Sequence, residues 1–188
     1  MEELLKESLR EDEKLLWSGR PEAFETLDKT HKSPFIRSGI ITAVVTIALC
    51  VAYVILAKAK EAPLKPAVLV IVAACGIFII VRGLLDASKI KKRACYAITD
   101  KRLLILTDSA KSVEYSAISA AKLDRDEDGH TSLLCGEDAI KARPWKRRAA
   151  VLSGAITNEN TGMCERFVMY ALPDADKIKE ILKPYLPL

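Results

Sequence analysis

Two apolar runs decide the fold: SGIITAVVTIALCVAYVILA at residues 38–57 and AVLVIVAACGIFIIV at residues 67–81. The first run contains 20 uncharged residues, and a helix of that length spans about 30 Å, the thickness of the hydrocarbon core of a bilayer. Pro63 and Pro66 separate the runs, because proline interrupts a continuous helix. The pattern predicts a transmembrane hairpin with helices at about 38–57 and 66–85.

The second run is short for a membrane span, but its flanks extend it. Lys65 and Arg82 can direct their charged ends toward the membrane surface, and Leu84 and Leu85 continue the apolar surface. Burial of both runs in a soluble core is the weaker alternative, because few globular cores need two consecutive helices that are apolar on every side. A cleaved signal peptide is weaker still, since a long charged segment precedes the first run.

Small or weakly polar residues recur along one side of each run, which favours close packing of the two helices or of a second copy. Neither run contains a charged residue, and this argues against an ion path or a proton relay. The small residues are Gly39, Thr42, Ala43, Thr46 and Cys50 in the first run and Ala73, Ala74, Cys75 and Gly76 in the second.

Basic residues are concentrated beside the apolar runs, although the formal net charge of the chain is only +4. Ten lysines and arginines flank the hairpin toward the two termini, and three lie in the connecting loop. By the positive-inside rule, this bias predicts that both termini are cytoplasmic. The flanking residues are Arg20, Lys29, Lys32, Arg37, Arg82, Lys89, Lys91, Lys92, Arg93 and Lys101, and the loop residues are Lys58, Lys60 and Lys65.

The hairpin divides the chain into three predicted parts: an N-terminal arm at 1–34, the hairpin at 35–85 and a soluble domain at 93–188. Residues 1–17 are acidic and carry leucines, which indicates a surface helix or an extended arm. The sequence LLWSGRP at 15–21 predicts a short strand that ends in a turn, because glycine and proline follow strand-forming residues.

Short runs of strand-forming residues follow Arg93 at close spacing and predict an antiparallel sheet or barrel. Thr99, Asp100 and Lys101 predict a tight hairpin, and a polar turn is predicted at 126–129. The predicted strands cover residues 95–98, 102–107, 112–118, 120–124, 131–135, 149–156 and 166–171.

The chain ends in a predicted amphipathic helix that begins after Asp174, a residue type common at N-caps. Ile178, Ile181, Leu182 and Tyr185 recur at the spacing of one helical face. A helix of this kind is expected to cover an open end or face of the barrel.

Four segments of the chain, taken in order, resemble one family. YAITDKRL at 96–103 resembles the signature of bacterial pleckstrin-homology-like (PH-like) membrane proteins, and 15–21 resembles the segment before their membrane hairpin. VEYSAI at 113–118 and residues 167–182 resemble a following strand and the closing strand and helix. The residues that carry the resemblance are Trp17, Gly19, Arg20, Pro21, Tyr96, Thr99, Asp100 and Arg102.

The resemblance implies an α+β membrane protein, with a transmembrane hairpin and a seven-stranded PH-like antiparallel β-barrel capped by a C-terminal helix. It also implies attachment to the cytoplasmic face of a bacterial inner membrane, and such domains often serve in protein assembly. The expected function is a non-enzymatic scaffold or adaptor that binds a protein partner or self-associates. The alternative is an accessory subunit of a transporter or membrane enzyme complex. Residues 137–165 are longer and more basic than the family pattern.

Calcium binding and catalysis are both disfavoured. DRDEDG at 124–129 matches the opening of an EF-hand loop, but Cys135 stands where the bidentate glutamate belongs. The five cysteines show no CxxC spacing, and only two histidines are present, so structural thiols are expected rather than a metal site. Ser153 and Gly154 lack the surroundings of a nucleophile elbow, and no cofactor is expected.

The basic segment KARPWKRR at 141–148 is the best candidate for binding. A tryptophan among basic residues suits a membrane interface, and anionic lipid is a candidate ligand. The alternatives are a solvated charged loop and, more weakly, a nucleic-acid site, for which a stacking platform is missing. The candidate contact residues are Lys141, Arg143, Trp145, Lys146, Arg147 and Arg148.

Overall fold

The computed structural model describes the backbone of residues 2–188, with side chains from residue 4 onward. It is an α+β structure in which two long apolar helices are combined with two antiparallel sheets. The helices are α1 (Glu2–Ser8), α2 (Lys29–Ala59), α3 (Pro66–Arg93), α4 (Glu137–Lys141), α5 (Arg147–Ser153) and α6 (Ala175–Leu182). The strands are β1 (Leu15–Gly19), β2 (Cys95–Thr99), β3 (Arg102–Leu106), β4 (Ala110–Glu114), β5 (Ala121–Arg125), β6 (Thr131–Cys135), β7 (Ile156–Thr157) and β8 (Cys164–Met169).

Helices α2 and α3 are both long and apolar enough to cross a membrane. Only 6% of the most apolar window of each helix is buried within the structure, whereas a core helix of a soluble protein would be covered on most sides. An apolar surface of this extent needs a cover, and a bilayer supplies one. Both helices also extend beyond the predicted spans, since α2 begins at Lys29 and α3 continues to Arg93.

The two long helices pack against each other as an antiparallel pair. A Cβ added at Gly76 would lie 2.4 Å from Oγ1 of Thr46, so the helices touch closely at this point. Farther toward the β domain, a Cβ at Gly39 would lie 3.9 Å from Ile80. The predicted role of small residues in helix packing is therefore confirmed for Gly76 and Thr46.

The first sheet has the strand order β1-β2-β3-β4, and all of its pairs are antiparallel. β1 precedes the helical hairpin in the chain and β2 follows it, yet Trp17 pairs with Ile98 and Gly19 with Tyr96. The hairpin is thus an insertion between two neighbouring strands. Both ends of the hairpin consequently lie on the same side of any membrane that it crosses.

The second sheet has the order β5-β6-β8-β7. The predicted hairpin at Thr99–Lys101 and the polar turn after β5 are confirmed. Two separate four-stranded sheets are present rather than one closed ring of strands, so the barrel stays a prediction. The strand predicted at 149–156 is wrong: residues 147–153 form α5, and only Ile156 and Thr157 belong to a strand.

The main core lies between the sheets and includes side chains from outside the range 93–188. Phe24 precedes α2, and Ala87 and Ile90 belong to α3, yet all three are buried in the same cluster as strand residues such as Leu103 and Phe167. The β domain therefore includes β1, Phe24 and the end of α3 in addition to the segment predicted as a separate domain.

Helix α6 covers the core as predicted. Ile178 and Leu182 are fully buried, and Ile181 and Tyr185 pack against the same cluster. Asp174 occupies the predicted N-cap position, but its backbone is left-handed with φ of 50° and its side chain caps no N–H group. The predicted N-cap position is thus confirmed, but the Asp174 side chain does not cap the helix, and the buried face of α6 is the contact that stabilises it.

Candidate functional site

The predicted basic segment is folded rather than a solvated loop. Residues 141–148 span the end of α4, a 3₁₀ turn at Pro144–Lys146 and the start of α5. Lys141, Arg143, Trp145 and Lys146 are exposed, whereas Arg147 and Arg148 are only 3% and 4% exposed. The expectation that all six side chains reach a lipid or partner surface is therefore wrong for Arg147 and Arg148, which point into the protein.

Arg147 is held by the second sheet. Its guanidinium is bonded to the carboxylate of Asp124 in β5, and Asp124 also lies 2.7 Å from the amino group of Lys122. The hydrogen bond from Lys122 is the largest effect that lowers the pKa of Asp124 below its ordinary value. Burial raises this pKa, and the hydrogen bond from Arg147 lowers it further. A buried arginine with a charged partner of this kind is a structural contact.

Arg148 joins the β domain to the base of the hairpin. Its guanidinium is ion-paired with Asp28, which immediately precedes α2, and both side chains are buried. It also donates to the carbonyl oxygen of Thr26 at 2.8 Å and to that of Glu25 at 2.9 Å. One side chain from α5 thus fixes the segment that leads into α2.

Two aromatic rings enclose the same guanidinium. The Arg148 carbon Cζ lies 4.3 Å from the ring centre of Phe24 and 5.1 Å from that of Tyr170. These contacts are cation–π interactions, which strengthen when the cation is removed from water. Phe24, Asp28, His31, Arg148 and Tyr170 are called the junction cluster below.

Two aspartates satisfy the N-terminus of α2. Asp28 accepts a hydrogen bond from the backbone N–H of His31 at 2.9 Å. Asp128, in the turn between β5 and β6, accepts from the N–H groups of Lys29 at 3.0 Å and Thr30 at 2.9 Å. The acidic turn that resembles an EF-hand opening therefore caps a helix in trans, where negative charge also complements the helix dipole.

His31 occupies the inner side of the cluster. Its Nδ1 lies 2.6 Å from Oδ1 of Asp28, and its Nε2 is buried with no hydrogen-bond partner among the described residues. Burial and the nearby charge of Arg148 lower the pKa of His31, although Asp28 acts in the opposite direction. A neutral imidazole that donates from Nδ1 leaves Nε2 as an acceptor.

A cavity of about 200 Å³ opens between the base of the two long apolar helices and the turn that carries Trp145. It is called the junction cavity. Apolar residues of α2 and α3 form one half of the cavity. The other half is polar and is formed by His31, Asp86, Lys146 and Arg148. Of these, Lys146 forms no ion pair within the described part of the chain, and its amino group lies 5.4 Å from the ring centre of Trp145.

Several of the residues that carry the predicted PH-like resemblance make structural contacts. Arg102 makes a bidentate ion pair with Glu13, with distances of 2.8 Å from Nε to Oε1 and 2.9 Å from Nη2 to Oε2. Thr99 Oγ1 lies 2.7 Å from Glu13 Oε1, and Asp100 accepts from the N–H of Lys14 at 2.9 Å. The TDKR turn therefore holds the N-terminal segment onto the first sheet. The hydrogen bond from Arg102 lowers the pKa of Glu13 from 4.5 to about 2.

Tyr96 and Gly19 also serve packing. The Tyr96 hydroxyl donates to the carbonyl of Tyr170 at 2.9 Å and accepts from its N–H at 3.2 Å. A Cβ at Gly19 would lie 2.5 Å from the Trp17 ring, so glycine leaves room for this ring. Arg20 and Pro21 follow β1, and Arg20 is exposed.

The described residues contain no group of three or more histidine, cysteine, aspartate or glutamate side chains placed to hold a metal ion. All five cysteines are free. Burial raises the pKa of Cys135 and raises that of Cys164 to about 11. These two thiols therefore stay protonated near neutral pH and are poor nucleophiles.

Sequence reasoning found Arg147 and Arg148 but missed their partners. Aspartate is a common N-cap residue, but residues 29–31 after Asp28 contain no capping-box glutamate or glutamine, so the local signal for it was weak. Its pairing with Arg148 was not detectable, because the two residues are distant in sequence and nothing local requires their contact.

Comparison with protein-family models, with curated proteins and with solved structures found no match to the chain.

Proposed function

We propose that the chain is a membrane-anchored, non-enzymatic PH-like module that acts as a scaffold or adaptor at the cytoplasmic surface of a bacterial inner membrane. The observation that carries this proposal is the insertion of an apolar hairpin between two paired strands, β1 and β2. A domain attached at both ends of the insertion cannot swing on a single flexible tether. It presents its surface at a fixed distance from the membrane, as a scaffold requires.

The order of the elements supports a PH-like relationship. A four-stranded antiparallel sheet is followed by a second antiparallel sheet and then by a C-terminal amphipathic helix that packs on the core. A closed barrel belongs to the proposal, because side chains from both sheets share one core cluster. The cytoplasmic location rests on the excess of basic residues beside the hairpin ends that adjoin the β domain.

The junction cluster supports a rigid connection between membrane and domain. Arg148, Asp28 and Asp128 link α5 and the β5–β6 turn to the first residues of α2. The buried Arg148–Asp28 ion pair holds a fixed geometry, because either charge alone would remain buried without its charged partner. The arrangement serves positioning, and it brings together no nucleophile with a base.

Isolation of the native complex tests this function. The tagged full-length chain is extracted with its surrounding bilayer into polymer-bounded discs, and its stoichiometric partners are identified by native mass spectrometry. A photo-crosslinker at exposed Lys177 on α6 and one at buried Ala97 in β2 form a matched pair. We expect a defined protein adduct from position 177 and none from position 97. Recovery of a transporter or enzyme subunit in stoichiometric amount would instead indicate that the chain is an accessory subunit of that complex.

A further inference from the structure

Two residues that line the junction cavity each carry a buried polar atom that nothing in the described chain satisfies. The two atoms are Nε2 of His31 and Nε of Arg148. Buried polar groups in proteins are almost always paired with protein, water or ligand atoms. Arg148 is 4% exposed, so bulk solvent does not provide the missing acceptor.

The charges around the cavity leave one positive charge unbalanced. Arg148 is neutralised by Asp28, and the Asp86 carboxylate lies 4.0 Å from the guanidinium of Arg82. Lys146 remains without a carboxylate partner among the described residues. A ligand with one negative charge and hydrogen-bonding oxygens matches this balance, and a phosphodiester has both properties.

The other half of the cavity is apolar and lies between the membrane helices. Pro34, Phe35 and Gly39 from α2 face Ile79 and Ile80 from α3. Ile79 and Ile80 belong to the apolar run 67–81, whereas the polar lining residues lie beyond it. The cavity therefore extends across the expected boundary between hydrocarbon and headgroups, with an apolar and a polar end in the matching order.

We propose that the junction cavity binds one glycerophospholipid from the leaflet next to the β domain. The phosphodiester accepts hydrogen bonds from Arg148 Nε–H and Lys146, and a headgroup hydroxyl or ammonium donates to Nε2 of His31. The first part of an acyl chain lies between α2 and α3. A volume of about 200 Å³ holds roughly six waters, which is room for a headgroup but not for a whole lipid. The proposal rests on membrane insertion of the hairpin and is independent of the adaptor role.

Lipid retention by the full-length chain tests the site. The protein is purified in mild detergent, mixed with phosphatidylglycerol and analysed by native mass spectrometry. One tightly retained lipid per chain is expected for the wild type. Gly83→Leu should remove it, because Gly83 lines the cavity and a Cβ there meets no atom within 4 Å. Ala73→Leu adds bulk to an exposed position of the same helix and should retain the lipid.

Lys146→Gln tests recognition of the phosphate separately from occupation of the cavity. Lys146 is exposed and forms no internal ion pair, so the fold should tolerate the change, and the affinity for phosphatidylglycerol should fall at least about tenfold. Diacylglycerol with the same chains should not be retained. Equal retention by wild type and Gly83→Leu, or equal retention of diacylglycerol, would overturn the proposal. Displacement of the lipid by millimolar inorganic phosphate would also overturn it, since the site would then recognise the free ion.

Discussion

At the residue scale, the buried Arg148–Asp28 pair should make the junction sensitive to loss of either partner. Replacing Arg148 by methionine removes the cation and leaves the buried Asp28 carboxylate unpaired. We expect a loss of about 3–5 kcal/mol in the free energy of unfolding, measured by denaturant titration of the detergent-solubilised chain.

The matched control for this change is Arg143→Met, because Arg143 is exposed and surface substitutions usually alter stability by less than about 0.5 kcal/mol. The double variant Arg148→Met/Asp28→Asn should recover part of the loss, since no buried charge remains. Equal stability of Arg148→Met and Arg143→Met would show that the pair contributes nothing.

Glu13 makes the stability depend on acid. Its pKa in the folded chain is lowered from the ordinary glutamate value of 4.5 to about 2, mainly by the hydrogen bond from Arg102, so the folded state favours the ionised carboxylate. The resulting stabilisation is complete above about pH 5 and is lost as the pH falls from 4.5 toward 2. A shift of this size corresponds to about 3 kcal/mol. The urea concentration at the unfolding midpoint should therefore decrease as the pH is lowered from 6 to 3.

Glu13→Gln tests the source of that slope. The amide cannot ionise, so the variant should be less stable at pH 6 and should show a smaller decrease between pH 5 and pH 3. Glu11→Gln is the control, because Glu11 is exposed and lies two residues from Glu13 in the sequence. An unchanged slope in Glu13→Gln would assign the acid sensitivity to other carboxylates.

At the element scale, α6 stabilises the β domain through its buried face. Leu182 is fully buried in the main core, and its truncation to alanine should cost about 2–5 kcal/mol. Glu180→Ala, on the exposed side of α6, should change stability little. The measurement is the unfolding midpoint followed by tryptophan fluorescence. Similar midpoints for the two variants would mean that α6 is not docked on the core.

Strand β1 is the second element with a testable role. A fragment of residues 93–188 lacks β1, Phe24 and Ile90, so it should expose the edge of β2 and part of the core, and it should aggregate. A variant that joins Ser33 to Leu85 through five flexible residues retains all three. Such a linker reaches about 12 Å, enough to connect two packed helices about 8–10 Å apart. This variant should be soluble and mainly β by circular dichroism; a well-folded 93–188 fragment would contradict the expectation.

Elements with a strong local pattern were predictable from the sequence. The length of the apolar runs identified α2 and α3, the residues around Thr99 identified the β2–β3 hairpin, and the spacing of Ile178 and Leu182 identified α6. Helix α5 was mistaken for a strand, because a short apolar run is compatible with either structure. The junction cluster was unpredictable for a different reason: Asp28 and Arg148 are 120 residues apart in the sequence, and only the tertiary packing of α5 against the base of the hairpin brings them together.

At the scale of the whole molecule, the pairing of β1 with β2 requires that both ends of the hairpin lie on the same side of a membrane that it crosses. Single cysteines at Glu61, in the connection between α2 and α3, and at Glu159, in the exposed β7–β8 turn, report the two sides. In a cysteine-free background, an impermeant thiol reagent should label Glu61→Cys in intact cells and should leave Glu159→Cys unlabelled until the cells are opened. Labelling of position 159 from outside would reverse the topology.

The insertion of the hairpin between β1 and β2 also imposes an order on biogenesis. β1 leaves the ribosome before both apolar helices, but its hydrogen-bonding partner is made after them. The first sheet is therefore completed only once the hairpin has folded back on itself. Until the two helices have folded back, β1 and β2 each keep an unpaired edge, which favours aggregation. Formation of the first sheet is thus coupled to the pairing of the two apolar helices.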